Sequence, residues 1–259
     1  MVASRGYTPP EATVAELVAF REGLGMARSV LVQPSVYGTD NSCMVDALHE
    51  LGDSARGVAV VAPDVADAEL AALHAAGVRG IRINLESSGN RDPQAVTARL
   101  GLYAERLAPL GWHIQIYTAL PVLAQAADAI AALPVPVVID HYGLAAGTGQ
   151  PGFAALISLL RAGHVYLKMS APYRLDAPPP YAVLEPVARR LIEEAPARLV
   201  WASDWPHTDR VPGRAATDLH PYRRIDDADI LSRFLGWCPD DAVRKLILTD
   251  NPSRLYDFA

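Results

Sequence analysis

The chain has 259 residues, 51% hydrophobic and 20% charged, with a net charge of −6. That balance supplies a large buried core and excludes a disordered chain. Without a Lys/Arg cluster it gives no footprint for nucleic acid, and its longest apolar runs, such as Val135–Ile139, are too short to span a bilayer.

In chain order, Ala/Leu-rich segments with helical spacing alternate with short runs rich in β-branched residues. The pattern predicts a helix over Pro10–Gly23, a strand over Ser29–Gln33, a helix over Asn41–Leu51 and a strand over Gly57–Ala62. A helix over Asp67–Ala76 and a strand over Val78–Leu85 follow, then a helix over Pro93–Leu110 and a strand over Trp112–Thr118. Leu120–Leu133 reads as helix, Val135–Asp140 as strand, Gly152–Ala162 as helix and Val165–Met169 as strand. The last strand is Leu199–Ser203, preceded by a helix over Tyr181–Ala195 and followed by helices near Ala228–Gly236 and Pro239–Thr249. Asp67 and Asp92 stand where N-caps belong, and Gly77 and Gly111 where left-handed C-caps belong. Repeating βα units point to one α/β domain over 1–259 with a parallel sheet. Seven strands are recognisable, and the chain opens on a helix.

In such folds function gathers where strands end. Nearly every strand here delivers a polar side chain to that end. The first runs into Ser35 and Tyr37; the third carries Arg82 and Asn84; the fourth ends at Tyr117. The fifth ends in Asp140-His141, the sixth carries Lys168 and leads to Ser170 and Arg174, and the seventh leads to Asp204 and His207. One such residue is usually a cap or a satisfied core group. Repetition on strand after strand is hard to explain by packing, because unpaired charges avoid cores. His113 lies at the amino end of its strand and is read as core.

Several runs resemble the amidohydrolase-2 branch of the amidohydrolase superfamily, in particular the 2-pyrone-4,6-dicarboxylate lactonases and related lactonases. They are Leu31-Val32-Gln33-Pro34-Ser35-Val36-Tyr37-Gly38-Thr39-Asp40-Asn41, Gly80-Ile81-Arg82, Asp140-His141-Tyr142-Gly143, Ser203-Asp204-Trp205-Pro206-His207 and Asn251-Pro252-Ser253-Arg254-Leu255-Tyr256. The resemblance spans nearly the whole chain from Tyr7. It implies a TIM-type (β/α) barrel and a hydrolase opening a small carboxylated lactone, while the composition and the two cysteines, read as reduced thiols, fit a cytoplasmic enzyme. Asp204 would be the general base for water, and His141 the group that polarises the carbonyl. Arg82 and Arg174 would grip substrate carboxylates, with Tyr117, Ser35, Tyr37, Lys168, Ser170 and His207 as further substrate or positioning groups.

Two departures bear on this. The family's first strand carries His-x-His, and no two of the seven histidines here stand two apart. The expectation is therefore a barrel lacking its first strand, its exposed edges closed by an altered seven-strand barrel or by a homodimer. Without that pair only His141 and Asp204 match family metal ligands, so no catalytic metal or other cofactor is expected. The position three past His141, basic in many members, is Leu144, which argues against strict pyrone-dicarboxylate specificity. A metal-dependent decarboxylase-like lyase and a non-catalytic binding protein on a truncated barrel are the competing readings.

Overall fold

Short runs rich in β-branched residues form the strands of this chain, with helices between them in sequence. The computed structural model describes residues 1–85, 92–175 and 177–258. Seven strands follow one another in chain order: β1 (Ser29–Val32), β2 (Ala55–Ala59), β3 (Val78–Asn84), β4 (His113–Tyr117), β5 (Val137–Ile139), β6 (Val165–Met169) and β7 (Leu199–Trp201). The described residues fall into two compact units, 1–79 with 204–231 and 80–203 with 232–259.

In the first unit β1 and β2 pair in parallel, Ser29 opposite Ala55 and Val32 opposite Val58. Helix α1 (Val14–Gly23) starts later than the predicted Pro10, because Thr13 and Glu16 form a capping box: Glu16 N–H donates to Thr13 Oγ1 at 3.2 Å and Thr13 N–H to Glu16 Oε2 at 2.7 Å. Helix α2 (Ser42–Leu51) buries Met44 and Leu48, one turn apart. They press on Gly57 of β2, where an added Cβ would lie 2.8 Å from Leu48 Cδ1. Asn41 ties the loop after β1 to the end of β2, donating to Val60 O (2.9 Å) and accepting from Val60 N–H (3.1 Å). Helix α3 (Asp67–Ala75) takes Ala66 as its N-cap; Asp67 is the first helical residue and not the expected cap, so it acts on the helix dipole instead.

In the second unit the pairs β3–β4, β4–β5, β5–β6 and β6–β7 are all parallel. Their register aligns Ile83, Ile116, Ile139, Leu167 and Leu199 across five strands, every one buried. Helix α4 (Pro93–Leu107) opens on the expected Asp92 cap and buries Val96, Leu100, Tyr103, Ala104 and Leu107 at helical spacing. The predicted Leu120–Leu133 helix is two, α5 (Leu120–Gln125) and α6 (Ala127–Ala131), because Ala126 leaves helical geometry at φ −91°, ψ 3°. Helices α7 (Phe153–Arg161) and α8 (Glu185–Glu194) follow, α8 entered through a 3-10 turn at Ala182–Leu184.

Helix α9 (Asp227–Trp237) begins in the first unit. The predicted Pro239–Thr249 helix is α10 (Asp241–Lys245), capped by Asp240, then a π turn over Leu246–Asp250 and α11 (Asn251–Leu255). The π turn delivers the fully buried Asn251, whose amide donates to Pro196 O (2.8 Å) and Leu199 O (2.7 Å). The closing Asn-Pro run is thus a buckle on β7. Among the described residues no helix is long and apolar enough to cross a membrane.

Candidate active site

The face opposite the apolar rows of the second unit is where the polar strand residues go. Register sets Gly80 beside His113, Arg82 beside Gln115 and Asn84 beside Tyr117. At the amino end the ring of His113 lies buried against Gly80, where a Cβ would come within 2.6 Å of both ring nitrogens. Only glycine admits the imidazole there, and His113 is core as expected. Arg79 points away from this face; its guanidinium donates to His74 O and Val78 O.

Toward the carboxyl end the side chains meet around Asp140, which is 2% exposed. Lys168 Nζ stands 3.2 Å from Asp140 Oδ1 and donates to Gln115 Oε1 at 2.7 Å. Gln115 Nε2 in turn donates to Asp140 Oδ2 at 2.9 Å, and Arg82 Nε lies 3.8 Å from the same oxygen. Burial by itself would raise the Asp140 pKa. The cations Lys168 and Arg82, His141 and the Gln115 hydrogen bond outweigh it and hold the carboxyl at about 2. Asp140 is therefore a permanent anion at neutral pH. The Arg82 side chain is only 13% exposed, yet its Nε has no hydrogen-bond partner and its one ion-pair contact among the described residues is the long one to Asp140. A guanidinium carries five donors in a fixed fork, a geometry suited to gripping an anion.

His141 follows β5 directly, and its Nδ1 lies 2.9 Å from Ser170 Oγ, both groups buried. The Tyr117 ring meets the His141 imidazole edge-on at 5.0 Å. Four consecutive residues, His141, Tyr142, Gly143 and Leu144, have φ between 51° and 62°. Each non-glycine residue there costs about 1–2 kcal/mol. Ala171, after Ser170, has φ 49° as well. Arg174 sits in the 3-10 turn Pro172–Leu175, its guanidinium carbon 5.5 Å from the Tyr173 ring centroid. Of the residues expected from sequence, Arg82, Lys168, His141, Ser170 and Tyr117 thus come together in one network, with Arg174 in the turn after β6. Gln115 and Asp140 complete it.

Asp204, His207, Ser35 and Tyr37 belong to the first unit. Asp204 follows β7 by three residues and has φ 69°. Its carbonyl accepts the His207 N–H at 2.9 Å across the tight turn Asp204–His207, and His207 has φ 59°. His207 Nε2 lies 2.7 Å from Asp227 Oδ2, with both side chains buried. Phe20 of α1 stacks on Trp205 at 5.5 Å and meets the His207 ring edge-on at 6.4 Å. Ser35 is exposed in a 3-10 turn, and Tyr37 closes that turn. Burial, then the nearby Cys43, Glu11 and Asp40, raise the Tyr37 phenol, so it stays a hydroxyl at neutral pH. Sequence reasoning missed Asp227. It is one of three acids in Asp226-Asp227-Ala228-Asp229, and nothing in their order says which one grips His207.

The strand-end chemistry and the fold define an amidohydrolase. The Amidohydrolase family (Amidohydro_2) matches residues 1–258, and the chain belongs to it. It is 38% identical to a 2-pyrone-4,6-dicarboxylate hydrolase of Comamonas testosteroni, over 97% of this chain and 83% of that one. It is 35% identical to a 4-sulfomuconolactone hydrolase of Rhizobium radiobacter, again over 97% and 83%. Its fold matches that of a probable 2-pyrone-4,6-dicarboxylic acid hydrolase of Acinetobacter baumannii with citric acid bound, at TM-score 0.81 and 28% identity, covering 99% of this chain and 94% of the other. The TIM-barrel-type amidohydrolase fold with seven recognisable strands, and the lactonase resemblance, are borne out.

Proposed function

We propose that this protein hydrolyses a small lactone carrying a carboxylate, with Asp204 as general base and without a resident metal. The observation that carries the reading is the largely enclosed Arg82 guanidinium, whose Nε has no hydrogen-bond partner, beside a histidine held at the end of the next-but-one strand. Desolvated donors of this kind are costly unless an anion completes them. The relatives support the same chemistry: their names are those of lactone hydrolases acting on a dicarboxylate or a sulfonate, and one was crystallised with a polycarboxylate.

Arg82 binds the substrate carboxylate through its planar fork, with Arg174 and the Tyr117 hydroxyl as further partners. Ser170 O–H donates to His141 Nδ1, which leaves the ring proton on Nε2; that N–H donates to the lactone carbonyl oxygen. Asp204 takes a proton from water as the water oxygen bonds to the carbonyl carbon. The oxyanion collapses, the ring C–O bond breaks, and the leaving oxygen takes the proton back from Asp204. The product is a carboxylic acid with a new enol or hydroxyl group. Ser35 and Tyr37 contribute hydroxyls for substrate binding.

The donor set does not suit a divalent metal. Among the described residues no group of three His, Cys, Asp or Glu side chains is gathered to hold one. The buried carboxylate beside His141 is already matched by Lys168 and Arg82, which would repel a metal ion. Among the described residues this donor set gives a decarboxylase-type metal mechanism little support.

The test is a panel of lactones bearing carboxylate or sulfonate groups, assayed with wild type and Asp204→Asn in chelator-treated buffer. We expect turnover by wild type and a loss of about 10²–10⁴ in kcat for the variant. No hydrolysis of any carboxylated lactone, or an Asp204→Asn variant as active as wild type, refutes the reading.

A further inference from the structure

The turn that carries Asp204 is gripped from behind. His207 closes it through its backbone N–H to Asp204 O (2.9 Å), and the His207 ring is held in turn by Asp227 (2.7 Å). A carboxylate only accepts, so the His207 Nε2 carries the hydrogen in this bond. Phe20 meets the same ring edge-on and stacks on Trp205. Asp227 is a poor fit for a merely structural part. It opens α9, yet Asp226 already serves the helix start, its Oδ1 accepting the Asp229 N–H at 2.9 Å. The second oxygen of Asp227 is buried without a hydrogen-bond partner, a cost that an apolar packing residue would avoid. A half-satisfied buried carboxylate, aimed at a histidine that closes a turn between two left-handed residues, is an arrangement kept for its geometry.

We propose that Asp227 is a positioning residue for Asp204, acting through His207 to fix the turn from which the Asp204 carboxylate works. This rests on the assignment of Asp204 as general base. Asp227 touches neither water nor substrate in this role. It sets the direction from which the base approaches, so it governs kcat and leaves substrate binding, which falls to Arg82, nearly unchanged.

The experiment is steady-state kinetics on the full chain with a carboxylated lactone that wild type hydrolyses, using Asp204→Asn, Asp227→Ala, Asp227→Asn and the double variant Asp204→Asn/Asp227→Ala. Asp227→Ala should lower kcat about 30-fold with KM within about twofold, and Asp227→Asn, whose amide oxygen still accepts from the ring, only about three- to fivefold. In the Asp204→Asn background Asp227→Ala should add less than about a twofold loss, because a residue acting through the base has nothing left to position. Should Asp227→Ala not fold, Asp227→Asn takes its place: a severalfold drop in kcat at unchanged KM upholds the proposal. Wild-type kcat in either Asp227 variant, or losses that multiply in the double variant, overturn the positioning role alone. An active Asp204→Asn enzyme overturns the base assignment and this proposal with it.

Discussion

Replacing Asp140 by Asn probes the buried network most directly. At an effective dielectric of about 20, the Lys168 ammonium at 3.2 Å attracts the carboxylate by about 5 kcal/mol and the Arg82 guanidinium at 3.8 Å by about 4 kcal/mol. Desolvation of the three charges offsets much of this. The residue of that balance is visible in the Asp140 pKa. Burial pushes it up; Lys168, His141, Arg82 and Gln115 bring it down from 3.8 to about 2. That lowering corresponds to about 2–3 kcal/mol. A depressed carboxyl pKa stabilises the folded state above the unfolded value, near pH 4, and that stabilisation is lost as pH falls through about 2. Asp140→Asn should therefore cost about 3 kcal/mol at pH 7, lowering Tm by about 6–10 °C. Thermal melts from pH 7 down to pH 2 read this out: the gap between variant and wild type narrows below pH 4. Lys168→Met in the Asp140→Asn background should recover part of the loss by removing an uncompensated buried cation. A variant that melts with wild type at pH 7, or a gap of constant size down to pH 2, refutes the ionised-hub account.

Two further outcomes follow from the same unit. Arg82→Met should raise KM for a carboxylated lactone about 10- to 100-fold, the value of a charge-assisted hydrogen bond, and leave a neutral lactone within about twofold; equal effects on both substrates would show that Arg82 does not read the carboxylate. Gly80→Ala drives a methyl group into the buried His113 ring and should cost about 1–3 kcal/mol, relieved by His113→Ala in the double variant; a Gly80→Ala protein with wild-type Tm would mean that the ring yields freely.

The alternation of strands and helices was legible because burial on both faces of a parallel sheet leaves β-branched runs that helices do not share. What the sequence concealed were the ends. Thr13 overrides Pro10 because a reciprocal cap satisfies two backbone donors at once. Ala66 precedes α3 where Asp67 seemed the better cap, since a side-chain preference is weak against the path of the incoming loop. The π turn before Asn251 has no signature in residue type; it follows from the need to bring one amide onto two carbonyls near β7.

The same split runs through the site. Period-two spacing puts Arg82 with Asn84 on one face of β3 and Gln115 with Tyr117 on one face of β4, but only register sets them side by side, and only the structure says that Gln115 bridges Lys168 and Asp140. That bridge decides the charge of the network. Among the described residues two cations, Lys168 and Arg82, share the Asp140 carboxylate. Lys168 spends its ammonium on Gln115 and Asp140, whereas Arg82 Nε lies 3.8 Å from Asp140 and has no hydrogen-bond partner. A substrate carboxylate docked at Arg82 would complete that pairing, and this is the charge preference that Arg82→Met tests.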